Sequence, residues 1–134
     1  MVAALENFAS GWNQNHPDNP IGVGDLSQFG GAPNWARHPG GGHAGGVIAD
    51  IRPMRNDNVR GPTNFNDRTY SFDLTNSLVQ GLLALPDVVS VRFNNPNIQG
   101  TVRDAKRYDR NGRRLPAVHD NHLQVTFGDA IGCP

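Results

Sequence analysis

The sequence predicts an α+β fold in which a small antiparallel sheet is flanked by helices and joined by long loops. Three observations lead to this prediction. Apolar residues recur at helical spacing in two segments. Short β-branched runs form candidate strands. In addition, 16 glycines and 10 prolines among 134 residues break the chain into short elements. A chain of this length is typical of a single domain, which we expect to cover residues 1–134.

The first predicted element is a short amphipathic helix over 3–13. Leu5, Phe8 and Trp12 fall on one face at helical spacing. The prolines and asparagines that follow indicate a turn away from the helix. We therefore expect residues 1–20 to form an N-terminal helix and a lead-in loop.

The second predicted helix is the main one and covers 73–85. Its leucines recur at intervals of three and four residues, which is the spacing of one helical face. Asp73 or Thr75 is the expected N-cap, and Pro86 is expected to end the helix. The leucines on this face are Leu74, Leu78, Leu82 and Leu85.

Three segments are predicted to be strands, and polar segments separate them. Residues 47–51 and 88–93 are β-branched and apolar, and 122–127 alternates between polar and apolar residues. Residues 14–42 are rich in asparagine, proline and glycine, which indicates a long structured loop. A turn is expected at 94–97.

The charge balance argues against nucleic acid as a partner. The chain has 12 basic and 12 acidic side chains, so it lacks the basic excess of a nucleic-acid-binding surface. The arginine-rich segment 103–114 mixes arginine with aspartate and contains one aromatic residue, Tyr108, so we expect it to be a solvated surface. Lys106 is the only lysine, so the other basic side chains are arginines. Arginine suits bidentate recognition of carboxylates.

Cysteine content and hydropathy exclude further classes. The single cysteine, Cys133, cannot support an intramolecular disulfide framework or a cysteine-rich zinc knuckle. No stretch approaches the roughly 20 apolar residues of a membrane helix, so we expect no membrane span. Residues 1–10 lack a basic region and a long apolar run, so we expect no signal peptide there. We expect a monomer.

Histidine and aspartate residues cluster around two of the predicted strands. His43 follows a glycine-rich stretch and precedes the first strand, on which Asp50 lies; residues 119–122 lead into the last strand. Imidazole and carboxylate groups are zinc ligands, and three protein ligands with one open position define a catalytic site. Since alternate residues of a strand share a face, His122 and Gln124 should point the same way, with Asp50 facing them from a neighbouring strand.

Four segments of the chain form an ordered set of motifs. They are GDLS at 24–27, HAGGVIADIR at 43–52, VRFNN at 91–95 and HDNHLQVTF at 119–127. In this order, and along residues 21–134, the chain resembles the penicillin-insensitive murein endopeptidases. These enzymes share a zinc-peptidase fold with the D-Ala-D-Ala carboxypeptidases and the lysostaphin-like enzymes.

The resemblance implies three zinc ligands, and this chain departs from the pattern at one of them. His43 and Asp50 match two ligands, but the third, the second histidine of a closing His-x-His, is Gln124 here. Glutamine rarely holds zinc. Three outcomes are open: His122 is the third ligand and His119 the general base, Gln124 contacts a weakly bound metal, or the metal site is lost. We favour the first, which gives His43, Asp50 and His122 as the Zn²⁺ ligands.

The implied activity is zinc-dependent hydrolysis of peptide cross-links in bacterial peptidoglycan. The expected catalytic residues are His119, Asp120 and His122, with His119 or Asp120 accepting a proton from the attacking water. Arg52 or Arg37 is expected to hold a carboxylate of the peptidoglycan stem peptide bidentately, although a solvated surface ion pair is the alternative for each arginine.

The same features leave other interpretations open. Gln124 supports a catalytically degenerate relative that binds murein or a protein. A delivered antibacterial effector or a phage lysin would use the same chemistry and would involve a delivery machinery or an immunity protein. In either case we expect the site of action to be the periplasm or cell wall. The chain would reach it by a route other than a signal peptide, or its signal has been trimmed away.

Overall fold

The computed structural model describes residues 2–24, 48–115 and 117–128. The predicted α+β class with a small antiparallel sheet is confirmed, and each predicted helix and strand has a counterpart within two residues of its expected bounds. None of the described helices is long and apolar enough to cross a membrane. The elements are α1 (Val2–Asn15), β1 (Ile48–Ile51), α2 (Phe72–Leu83), β2 (Val88–Arg92), a 3₁₀ helix (Val118–Asp120) and β3 (Leu123–Phe127).

The sheet has the order β1-β3-β2, so β3 is the central strand and runs antiparallel to both neighbours. Gln124 on β3 is in register with Asp50 on β1 and with Arg92 on β2. The register on β2 shifts between Val88 and Ser90. These pairings place one residue from each strand in rows across the sheet, which is how residues far apart in the chain come to share a face.

Alternation along β3 separates an apolar face from a polar face. Leu123, Val125 and Phe127 are buried, whereas Gln124 and Thr126 between them are half-buried. The buried residues join one core cluster with the apolar face of α2. The cluster consists of Leu5, Trp12, Ala49, Ile51, Met54, Leu78, Val79, Leu82, Val91, Phe93, Ile98, Leu123, Val125 and Phe127.

Helix α2 begins with a serine cap that the sequence analysis did not predict. The Oγ atom of Ser71 accepts a hydrogen bond of 3.3 Å from the backbone N–H of Leu74. The expectation that Asp73 or Thr75 is the N-cap is therefore wrong. Asp73 lies in the first turn, where a carboxylate interacts favourably with the helix dipole. Thr75 is fully buried, and its hydroxyl accepts a hydrogen bond of 2.9 Å from the N–H of Met54.

Helix α1 packs against α2 at a glycine. A Cβ atom added at Gly81 would lie 2.9 Å from the ring of Phe8, closer than carbon atoms approach without displacement. Glycine at this position therefore allows the two helices to come together. The other end of α1 is fixed by Trp12, whose Nε1 donates a hydrogen bond of 2.7 Å to the carbonyl of Asn19.

Candidate functional site

The polar face of the sheet carries Asp50 and Gln124, two of the residues that the sequence analysis selected. Asp50, Gln124 and Arg92 form one row across the three strands. His122 lies immediately before β3, two residues from Gln124. The predicted convergence of position 50 with the start of the last strand therefore has a structural basis in the register of β1 and β3.

Asp50 and His122 approach each other closely. The Nε2 atom of His122 lies 3.8 Å from Oδ1 of Asp50, and both atoms are buried. The other ring nitrogen of His122, Nδ1, lies 2.9 Å from the side-chain oxygen of Asn121. A distance of 3.8 Å is too long for a hydrogen bond. It is close to the roughly 3.4 Å that separates two ligand atoms on one tetrahedral zinc ion with metal–ligand distances of about 2.1 Å.

The ring of His119 is held at both nitrogen atoms. Its Nδ1 lies 2.9 and 2.8 Å from the two carboxylate oxygens of Asp104, and its Nε2 lies 2.9 Å from Oε1 of Gln124. The rings of His119 and His122 have centroids 4.9 Å apart. When Asp104 and Oε1 of Gln124 both accept, each nitrogen of the His119 ring donates a proton and the ring is in its charged form. If the amide of Gln124 turns over, its nitrogen donates to the neutral ring. Gln124 can therefore serve either protonation state.

Asp104 anchors this arrangement as a carboxylate. Burial raises the pKa of Asp104. The hydrogen bonds from His119 and Asn94 together lower it by a larger amount, so the pKa lies below its ordinary value. Arg92 adds a guanidinium nitrogen 3.4 Å from Oδ1. Asp104 therefore stays ionised at neutral pH, and it fixes the orientation of the His119 ring.

Asn94 links the end of β2 to both acidic residues near the histidines. Its side-chain nitrogen donates to Asp104 at 3.1 Å and to Asp120 at 2.8 Å, while its side-chain oxygen accepts from the backbone N–H of Asp104 at 2.8 Å. Its own backbone N–H donates to the carbonyl of His119 at 3.0 Å. Neither Asn94 nor Asp104 was predicted from the sequence as a site residue. The available signals were the position of Asn94 directly after a buried strand and its place in the segment VRFNN.

Asp120, predicted to be catalytic, has a different environment from the two histidines. It is buried, its Oδ1 accepts the hydrogen bond from Asn94, and the same oxygen lies 3.9 Å from the guanidinium of Arg114. Its backbone carbonyl accepts a hydrogen bond from the N–H of Phe65. These contacts connect the 3₁₀ helix to the neighbouring loops.

Arg52, predicted to bind substrate, lies just beyond β1 at a depression of about 270 Å³. Its aliphatic stem covers Gly22, where an added Cβ would lie 3.1 Å from Arg52 Cδ. Arg55 in the same depression donates to Asp57, and this interaction lowers the pKa of Asp57 to about 2. Arg60 also lines the depression. The described lining of this depression includes Arg52 but not Asp50, Gln124 or Arg92.

Two of the three predicted zinc ligands, Asp50 and His122, lie in the described part of the chain, and their donor atoms suit zinc. Asp50 and His122 supply one carboxylate oxygen and one imidazole nitrogen, both of which zinc accepts as ligands. His43, the third predicted ligand, lies outside the described residues, as does Arg37. Among residues 2–24, 48–115 and 117–128, no group of three histidine, cysteine, aspartate or glutamate side chains is arranged to hold a metal.

The chain matches no protein-family model, no curated protein and no solved structure.

Proposed function

We propose that this chain is a zinc-dependent peptidoglycan hydrolase that cuts peptide cross-links, with His43, Asp50 and His122 as the Zn²⁺ ligands. The observation that carries the proposal is the approach of His122 Nε2 to Asp50 Oδ1, 3.8 Å apart, beside the fixed ring of His119. The resemblance of four segments to murein endopeptidases, and to the fold that they share with D-Ala-D-Ala carboxypeptidases, supports it from the sequence.

The surroundings of Gln124 favour His122 over Gln124 as the third ligand. The side-chain amide of Gln124 lies 2.9 Å from Nε2 of His119, so this side chain is already engaged with the ring of His119 in either orientation of the amide. The ring of His122 instead faces the carboxylate of Asp50. Of the three outcomes that the sequence leaves open, His122 as ligand and His119 as general base agrees best with these contacts.

We assign proton transfer to His119. A zinc ion in this site would supply Lewis-acid polarisation of the scissile carbonyl and would activate water for attack. When the proton on Nδ1 is held by Asp104, Nε2 of His119 is the basic atom of the ring. After Nε2 accepts a proton, the new N–H can donate to Oε1 of Gln124. Asp120 is less suited to this role because its carboxylate contacts Asn94 and Arg114.

Metal analysis tests the ligand assignment. We expect about one zinc per chain after reconstitution, and loss of that zinc in Asp50→Asn and His122→Ala. In both variants, release of soluble fragments from purified murein should fall. The loss should exceed the roughly 10–100-fold that is typical when a hydrogen-bonding partner of a metal ligand is mutated. His16→Ala is the matched histidine control, because His16 follows α1 and its ring packs against Trp12 rather than against the candidate ligands. A zinc-free wild-type chain after reconstitution, or undiminished cleavage by both ligand variants, would falsify the proposal.

A second candidate is a binding module without catalysis. Gln124 favours it, because the position that the resemblance assigns to a ligand instead hydrogen-bonds His119. Such a module would bind murein sacculi or a partner protein and release no fragments from sacculi. Mass analysis of the supernatant with and without added zinc separates the two candidates.

The proposed site of action is the periplasm or cell wall, where an effector or a phage lysin would also act. Expression of the chain directed to the periplasm should then be toxic, whereas cytoplasmic expression should not. Equal toxicity in both compartments would contradict this localisation.

A further inference from the structure

A basic cleft of about 480 Å³ adjoins the histidines on the side of Asp104. Asn94 and Asp104 form a wall that the cleft shares with the hydrogen-bond network described above. The cleft therefore opens next to the residue that orients the proposed general base. Its basic side chains are Arg103, Lys106 and Arg114.

The positive charge of the basic cleft is only partly neutralised within the described chain. Asp104 is the one acidic residue among its described lining residues, and its oxygens already contact His119 and Asn94. Arg103 and Lys106 are exposed and form no ion pair with any residue of 2–24, 48–115 and 117–128. These two cations are therefore available to an anionic ligand.

A hairpin presents the third cation. Tyr108 and Arg114 form an antiparallel bridge, and the carboxylate of Asp109 accepts hydrogen bonds from backbone N–H groups in the turn, including that of Arg113. Arg114 lies 3.9 Å from Asp120, which limits its range of positions. The charged segment that the sequence analysis interpreted as solvated surface is thus shaped into one side of the basic cleft.

Two apolar residues also line the basic cleft. Phe65 and Pro96 contribute to its lining, and the ring of Phe65 packs edge-on against Phe93 with centroids 6.0 Å apart. A cleft that combines apolar contact with two or three cations suits a short aliphatic peptide that carries carboxylates. A polynucleotide would instead need several aromatic rings for successive base stacking along a basic groove, and Phe65 is the one aromatic residue in the described lining of this cleft.

We propose that the basic cleft is a substrate subsite in which Arg103 and Lys106 bind a free carboxylate of the peptide. This inference rests on the proposed function, because it assigns the substrate class of the same site. It also gives a reason for the position of the cleft: a peptide anchored there by its carboxylate lies beside Asp104 and His119. Arginine forms paired hydrogen bonds with a carboxylate, and lysine adds a point charge.

The test compares two variants that lose the same charge. Arg103→Gln/Lys106→Gln removes two cations of the basic cleft, and Arg110→Gln/Arg113→Gln removes two exposed arginines at the hairpin turn. Binding is measured by calorimetry in zinc-free and zinc-loaded protein. The probes are a synthetic stem tetrapeptide with free carboxylates and its fully amidated form. The wild type should prefer the free carboxylates by about tenfold or more, the effect of one charge-assisted hydrogen bond.

The cleft variant should lose this preference, and the turn variant should keep it. Equal binding of the two peptides by the wild type, equal loss in both variants, or tighter binding of a single-stranded oligonucleotide would overturn the inference. A carboxylate preference that depends on the cleft without zinc-dependent cleavage would retain the subsite and reject the hydrolase. Zinc-dependent cleavage without a carboxylate preference would retain the hydrolase and reject the subsite.

Discussion

The two faces of the sheet, built from alternate residues of the same strands, differ completely in chemistry. One face is apolar and joins the core beneath α2, and the other carries the candidate site. The two rows at the centre of the sheet are Ala49, Val125 and Val91 on the apolar face and Asp50, Gln124 and Arg92 on the polar face. The difference implies that stability and candidate chemistry depend on neighbouring residues that can be changed separately.

The sharpest test of this separation compares two adjacent residues. Leu123 is fully buried on the apolar face, so Leu123→Ala should lower the free energy of unfolding by about 2–5 kcal/mol. Gln124→Ala removes one hydrogen bond, to His119, and should cost only about 1 kcal/mol. Urea unfolding of both variants measures the two effects. Similar losses would mean that the polar face supports the fold as strongly as the core does.

An intermediate effect is expected at the start of α2, the helix that covers the apolar face. Ser71→Ala removes the N-cap hydrogen bond to Leu74 and should destabilise the protein by about 1 kcal/mol. Ser71→Asp keeps a capping oxygen and should restore most of the loss. NMR signals of the polar-face residues should stay in place in both variants. A shift at His119 or Gln124 would instead show that the faces are coupled through the helix.

The smallest effect concerns acid stability, which should depend in part on the polar face. The pKa of Asp104 in the folded protein lies below the ordinary value of 3.8, so its contribution is present above about pH 4 and is lost as the pH falls through the folded pKa. Asp104→Asn should therefore flatten the loss of stability below pH 4. Urea midpoints from pH 6 to pH 2.5, on zinc-free protein, measure this. An unchanged acid slope would indicate that Asp104 contributes little to acid stability.

Much of the fold could be predicted because periodicity reports local structure. The leucine spacing of α2 and the alternation of β3 each gave an element within two residues of its bounds. The N-cap was wrong because Ser71 lies just before the apolar period begins, and several polar residues nearby can cap a helix. Such a choice depends on which backbone N–H groups other side chains already satisfy, as Thr75 does for Met54.

The candidate site was less predictable because its contacts connect distant parts of the chain. Strand alternation correctly placed Asp50 opposite the start of β3. The partners of His119 were missed, since Asp104 comes from a charged segment 15 residues earlier that resembled solvated surface. No local pattern distinguishes an aspartate that orients a histidine from one that faces water. The prediction for His43 stays open, because it lies outside the described residues.

The central strand of the sheet is also the latest of the three in the chain, and this order affects how the molecule can be assembled. Until β3 is available, β1 and β2 have no strand between them and each leaves an unsatisfied edge, which is a template for pairing with another chain. An incomplete chain would therefore be prone to association. The same strand order allows a complementation experiment. A fragment that ends before residue 117 lacks β3, and a separate peptide covering 117–128 would supply both this strand and the two histidines.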